Sequence, residues 1–220
     1  MDVALTIVAL WVAFGATHMI LSSVRLRPRL VEKLGEAGFL GGYSLVALAI
    51  FVPLVVVYLR ARHSGPRLWY LGALPGVYWL VYAGMAVAFA LVVAGNTRPS
   101  PASLAGGRPD PVGVLRVTRH PLFMGVGLFG LLHLLVVPVN AAELAFFGGF
   151  PIFAVLGCRH QDQRRLASGD PAFRAFHAAT PFLPSPAGLP AALRADGIAM
   201  GAGVVLAAIV RWLHPAMFGG

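Results

Sequence analysis

Acidic side chains are scarce: eight Asp and Glu stand among 220 residues, against 17 Lys and Arg. Only 11% of the chain is charged, where an ordinary soluble domain carries roughly 25%, so water is not its main solvent. Too few carboxylates and thiols lie together to build a zinc centre, which wants a cluster of such ligands. Cysteine is nearly missing as well. Cys158 stands alone, which excludes an internal disulfide and any Cys-x-x-Cys metal or redox motif, and it reads as an inert thiol at a helix end. Aromatic platforms interleaved with the basic residues are also lacking, so the formal charge of +9 marks membrane topology and lipid headgroups, with no nucleic-acid partner.

What is abundant is apolar sequence. Hydrophobic residues make up 58% of the chain and the mean hydropathy is +0.79. A helix needs about 20 apolar residues to cross ~30 Å of hydrocarbon, and six stretches approach or exceed that length, at residues 3–22, 39–59, 74–94, 121–137, 141–157 and 197–213. The predicted fold is therefore all-α, a polytopic membrane helix bundle of about six transmembrane helices in one domain over residues 1–220. Asp2 stands where a signal peptide would be positive, and no small-x-small cleavage site precedes Arg25, Arg27 and Arg29, so the first stretch reads as a retained helix. The fourth and fifth stretches are separated only by Pro138, Val139 and Asn140 and form a tight hairpin. Pro53 and Pro151 should kink their spans, and Gly38, Gly41 and Gly42 should let backbones approach closely.

The basic residues choose the orientation. The first, third and fifth connections hold four, four and five Lys and Arg, the second holds Arg60, Arg62 and Arg67, and the fourth holds none. Positively charged loops stay in the cytoplasm, which puts both termini on the non-cytoplasmic side, with a bacterial inner membrane as the expected location. The Pro and Gly density at residues 96–111 argues against a long helix there. In the last loop Pro171 opens a short amphipathic helix carrying Phe173, Phe176 and His177, expected along the cytoplasmic surface.

Histidine carries the chemistry. A polar ring among lipid-facing helices must find a partner, because an unsatisfied polar group in hydrocarbon costs several kcal/mol, and an intramembrane ionisable residue is a functional candidate by default. His18 lies in the first span and His133 in the fourth, neither with an acid in its own span. A neutral imidazole with an unshared Nε2 lone pair suits iron or zinc; haem brings four nitrogens of its own and needs only one or two axial histidines. The alternative is that each ring only hydrogen-bonds a serine or a carbonyl on a neighbouring helix. Arg119 and His120, followed by Pro121 at a helix start, sit where backbone N–H groups and the helix dipole favour an anion such as a haem propionate; headgroup anchoring is the other reading. Depth raises a difficulty. His133 lies about 12 residues, roughly 18 Å, into its span, so depth alone pairs His18 with His120 and His133 with His63.

Several motifs in order resemble one family. Leu-Gly-Glu at 34–36, Gly-Gly-Tyr-Ser-Leu-Val-Ala-Leu at 41–48, Thr-Arg-His-Pro at 118–121 and Leu-Leu-His-Leu-Leu at 131–135 resemble the NnrU family, which includes the 15-cis-ζ-carotene isomerases. Arg-His-Ser-Gly at 62–65, Leu-Trp at 68–69, Leu-Pro-Gly-Val at 74–77, Asp-x-Arg-Arg-Leu-Ala at 162–167 and His-Pro at 214–215 are similar to the isomerase branch. The resemblance implies a membrane protein binding haem b through axial ligands that match His18 and His133, with the position of His63 also implicated, and an apolar polyene as substrate. It implies that ferrous haem releases one ligand and acts on a central cis double bond without net oxidation. The chain departs from that branch at Gly130, where the isomerase has a cysteine proposed as an alternative ligand. Other members are linked by name to denitrification and nitric oxide, which implies a non-catalytic partner of a respiratory or redox complex as the alternative. A weaker likeness, Arg-His-Pro before a hairpin and a basic segment, is to isoprenylcysteine carboxyl methyltransferases that bind S-adenosylmethionine, but their paired glutamates are missing from residues 159–163.

Overall fold

The computed structural model describes residues 2–104 and 106–218. Its long elements are all helical. α1 (Val3–Leu21) starts behind Asp2, whose side chain accepts from the Ala4 N–H, and a short turn leads into α2 (Leu26–Ala61). α3 (Val77–Thr97) follows Gly76, which takes a φ of 83°. A 3-10 turn, Gly113–Arg116, precedes α4 (Pro121–Val136), which opens on proline where no N–H is needed. α5 (Ala141–Ala167) is capped by Asn140 and Glu143 in a reciprocal capping box. The short α6 (Pro171–Ala179) is capped by Asp170, and α7 (Leu189–Phe218) ends the described chain.

Five of these helices are long and apolar enough to cross a membrane, and the shorter apolar α4 makes a sixth, matching the expected count. Their outward faces carry Val12, Leu45, Leu48, Leu80, Ile198 and Trp212, all exposed, which is stable only against lipid. The chain is an integral membrane protein. Helices run past the predicted spans where the sequence turns polar: α2 starts at Leu26 where the apolar run begins at residue 39, α5 continues ten residues beyond Gly157, and α7 starts at Leu189. Backbone hydrogen bonds inside a helix do not depend on lipid, so hydropathy marks only the part that hydrocarbon touches. Helical dihedrals break at Gly35 and Asp196, while Pro53 and Pro151 lie within continuous helices.

The helices pack in a row. α5 lies between α1 and α4; α2 packs on the outer side of α1, α3 on α4, and α7 on α3. Close approach comes from glycines other than those expected. Gly41 and Gly42 face open space, whereas a Cβ on Gly125 would stand 2.5 Å from the Ala88 carbonyl oxygen and one on Gly130 2.5 Å from that of Phe147. Small residues at α3–α4 and α4–α5 thus bring backbones together where helices in lipid must associate by packing. The hairpin turn is tied to the 62–76 connection by an isolated antiparallel bridge, Trp69 to Val139, and by Trp69 Nε1–H donating to the Leu134 carbonyl at 2.8 Å.

Candidate functional site

His18 and His133 share one local arrangement on two different helices. The Nδ1 of His18 lies 2.7 Å from the Phe14 carbonyl oxygen, and the Nδ1 of His133 lies 2.9 Å from that of Phe129. A carbonyl only accepts, so each ring donates from Nδ1 and keeps a lone pair on Nε2. Among the described residues neither Nε2 has a hydrogen-bond partner. In each case the carbonyl belongs to residue i−4, so the helix itself sets the tautomer and draws the ring back over its preceding turn, with centroids 4.0 Å from the Phe14 ring and 4.2 Å from the Phe129 ring. A ring pinned by its other nitrogen is the usual state of a metal-binding imidazole.

Both rings lean on α5. His18 meets Phe153 edge-on with centroids 5.3 Å apart, and His133 lies parallel to Phe147 at 4.4 Å. These contact points are six residues apart on α5, about 9 Å along the axis, half the 18 Å separation that depth along α4 suggests. Between them runs a belt of rings joining four helices. Phe150 touches Trp11 at 5.0 Å and Phe129 at 5.6 Å, while Phe14 touches Phe51 and Phe153. Phe14, Phe51, Phe129 and Phe153 are only partly buried and pack on the core of Trp11, Phe146, Phe147 and Phe150. The donor chemistry fits an iron porphyrin, but the cavity beside His18 measures about 30 Å³ and His133 is not in its lining. The belt would have to part to seat so large a group.

Arg119 and His120 are brought together, and onto a partner that sequence reading missed. Asp162 on α5 accepts from Arg119 Nε at 2.8 Å and lies 2.9 Å from His120 Nε2, and His177 Nε2 stands 3.6 Å away. All three central groups are buried. Arg119 also donates to the Thr180 carbonyl and its ring-facing side lies over Phe182, while Thr118 donates to the Phe182 carbonyl. The Thr-Arg-His-Pro motif therefore clamps the 180–182 segment to α5. The signal for Asp162 was present, an acid in a helix otherwise short of them, but its partner lies 42 residues upstream.

His63 sits at the opposite end of α5, with a φ of 61°. Its backbone N–H donates to Glu143 at 2.6 Å, and its Nδ1 lies 3.5 Å from the same oxygen. Glu143 is completely buried and also accepts from the Asn140 N–H, so one carboxylate caps α5 and holds the 62–64 turn. His63 and His120 are thus at the two ends of α5: Glu143, which holds His63, is four residues from Phe147 beside His133, and Asp162, which holds His120, is nine residues from Phe153 beside His18.

The chain is similar to two curated proteins. One is the chloroplastic 15-cis-zeta-carotene isomerase of Arabidopsis thaliana, 28% identical over 144 residues, covering 61% of this chain and 37% of that protein. The other is the chloroplastic 15-cis-zeta-carotene isomerase of Zea mays, 24% identical over 183 residues, covering 80% and 48%. The chain thus spans less than half the length of these relatives. No solved structure matches it. A family model described as NnrU protein matches residues 6–220, and with it the chain belongs to the NnrU family.

Proposed function

We propose that this chain is a haem b-binding membrane enzyme that isomerises a cis double bond in an apolar polyene, with His18 and His133 as the residues that would hold the iron. The observation that carries the reading is the shared state of the two rings, each with Nδ1–H held by an i−4 carbonyl and Nε2 left with its lone pair. The activity for which the two relatives are named supports the same substrate class. When bound, ferrous haem supplies reversible electron donation to a conjugated double bond with no net oxidation.

The chain's own residues do the rest. Phe129 and Phe14 fix the tautomer of the two imidazoles through their carbonyls, and Phe147 holds the plane of His133. The partly buried rings of Phe51, Phe129 and Phe153 form an apolar wall that a polyene entering from the bilayer can lie against. Asp162 and Glu143 lock the two ends of α5, so the wall stays in register between the histidine-bearing helices. The end carrying Arg119 and Arg164 faces the cytoplasm of a bacterial inner membrane in this reading, which the distribution of basic residues supports.

The test is to express the chain in a host that supplies haem, purify it in detergent, and incubate the reduced protein with 15-cis-ζ-carotene. The account expects a pyridine-extractable haem b, a Soret band that shifts on reduction, and loss of the 15-cis isomer. Protein that folds, carries no haem and leaves the substrate unchanged would remove the proposal.

A further inference from the structure

The basic end of the bundle holds a surplus of positive charge that the chain does not neutralise. Arg164 on α5 donates to the Ala102 carbonyl at 2.8 Å, and its Nε is buried without a partner. Its charged neighbours are two further guanidinium groups, Arg27 and Arg165, whose own Nε atoms are also buried and unpartnered. Arg27 is paired with Glu36 at 2.6 Å and Arg165 lies 3.9 Å from Asp170. The nearby Asp162 is committed to Arg119 and His120. Three cations therefore share two carboxylates, and among the described residues no ion pair is made by Arg164.

Arg164 also lines a cavity. The small hollow beside His18, about 30 Å³, is bounded by Ser22, Tyr43, His160, Gln161 and Arg164. Ser22 donates its hydroxyl hydrogen to the His18 carbonyl, so His160 Nε2, 3.2 Å away, must donate to Ser22 Oγ. Gln161 Oε1 is buried with no partner. Around this hollow the open Arg164 Nε is a donor that an anion satisfies, while the open Gln161 Oε1 is an acceptor that suits a water. A hollow of this volume takes the head of a carboxylate or a water molecule and little more, and Phe123 and Phe153 on its apolar side suit a hydrophobic body attached to that head.

We infer that Arg164, with Tyr43, binds the carboxylate of an amphiphilic ligand whose apolar body lies along Phe123 and Phe153. Resting on the function proposed above, that carboxylate is a haem propionate, held one helix away from the His18 ring. This moves the anion grip from Arg119 and His120, whose Nε and Nε2 are taken by Asp162, to Arg164. A fatty acid presents the same chemistry from a second source.

The experiment pairs acids with their esters. Haemin and haemin dimethyl ester are titrated into detergent-purified protein by Soret absorbance, and oleate and methyl oleate by native mass spectrometry, for the parent, Arg164→Ala, Arg164→Gln and the exposed control Arg159→Ala. A charge-assisted contact predicts that the parent and Arg159→Ala prefer acid over ester about tenfold or more, and that both Arg164 variants erase the preference while keeping the parent's elution volume. Parent protein that binds neither haemin nor its ester but prefers oleate would remove the haem reading and sustain the carboxylate site. Equal binding of acid and ester by the parent in both pairs, or a preference that survives in Arg164→Gln, would overturn the inference; if Arg164→Ala fails to fold, Arg164→Gln and the parent still decide it.

Discussion

His133 lies flat against Phe147, their planes 9° apart and their centroids separated by 4.4 Å. The stack does what the hydrogen bond to Phe129 alone cannot: a single Nδ1 contact lets an imidazole swing, and a parallel neighbour fixes its plane. An aromatic pair of this kind is worth about 0.5–1.5 kcal/mol beyond burial. Phe147→Leu should therefore fold, lose roughly that much stability in thermal melts, and bind haem several-fold more weakly. A variant with unchanged haem affinity would show that the stack plays no part in ligation.

Asp162 should matter to the fold more than to the chemistry. It faces the cationic Arg119 together with His120 in a buried setting, and removing one partner of such a pair costs about 3–5 kcal/mol because the remaining charge is left uncompensated. Asp162→Asn should lower the melting temperature sharply and raise hydrogen exchange at residues 180–185. Asp162→Asn protein as stable as the parent would mean that Arg119 finds another acceptor.

Membrane architecture was legible in the sequence because lipid imposes a simple demand: every spanning segment must be long and apolar. The 3–22 and 121–137 spans end within one residue of α1 and α4, and the tight hairpin at Pro138, Val139 and Asn140 is there. The polar continuations of α2, α5 and α7 were not legible, since neither apolar periodicity nor length signals them. Within the site, His18 and His133 stood out as the titratable groups of otherwise uncharged apolar helices. Their common tautomer did not, because it depends on a carbonyl one turn back in a helix whose ring direction only coordinates reveal. The clamps at Asp162 and Glu143 join residues 42 and 80 positions apart, and contacts over such separations leave no local pattern to read.

Gly130 explains why this chain lacks the cysteine that the resemblance to the isomerases would place there. A Cβ at this position would come within 2.5 Å of the Phe147 carbonyl oxygen and 2.7 Å of the Phe150 Cβ. Gly130→Cys should push α4 from α5 and lose on the order of 1–3 kcal/mol, the usual penalty of overpacking, with no thiolate signature in the optical spectrum. Gly130→Ala should cost a similar amount. Thiolate spectra in a stable Gly130→Cys protein would contradict this view of the α4–α5 contact.

Glu143 provides a separate check on the far end of α5. It completes the capping box with Asn140 and accepts from the His63 N–H. Loss of a cap costs about 0.5–2 kcal/mol, so Glu143→Ala should destabilise by at least that and increase proteolysis at residues 62–66. His63→Ala keeps the backbone N–H and should leave the stability within about 1 kcal/mol of the parent, in line with small effects at exposed positions.

The central claim is that two imidazoles from α1 and α4 hold one iron. Its most direct measurement is the electron paramagnetic resonance and optical spectrum of the oxidised parent beside His18→Ala and His133→Ala, each with its haem-to-protein ratio. The account predicts a low-spin, bis-histidine signal in the parent that gives way, in each variant, to high-spin iron or to loss of haem, with His120→Ala and His63→Ala retaining the parent's signal if folded. A low-spin bis-histidine signal that persists in either His18→Ala or His133→Ala would contradict it.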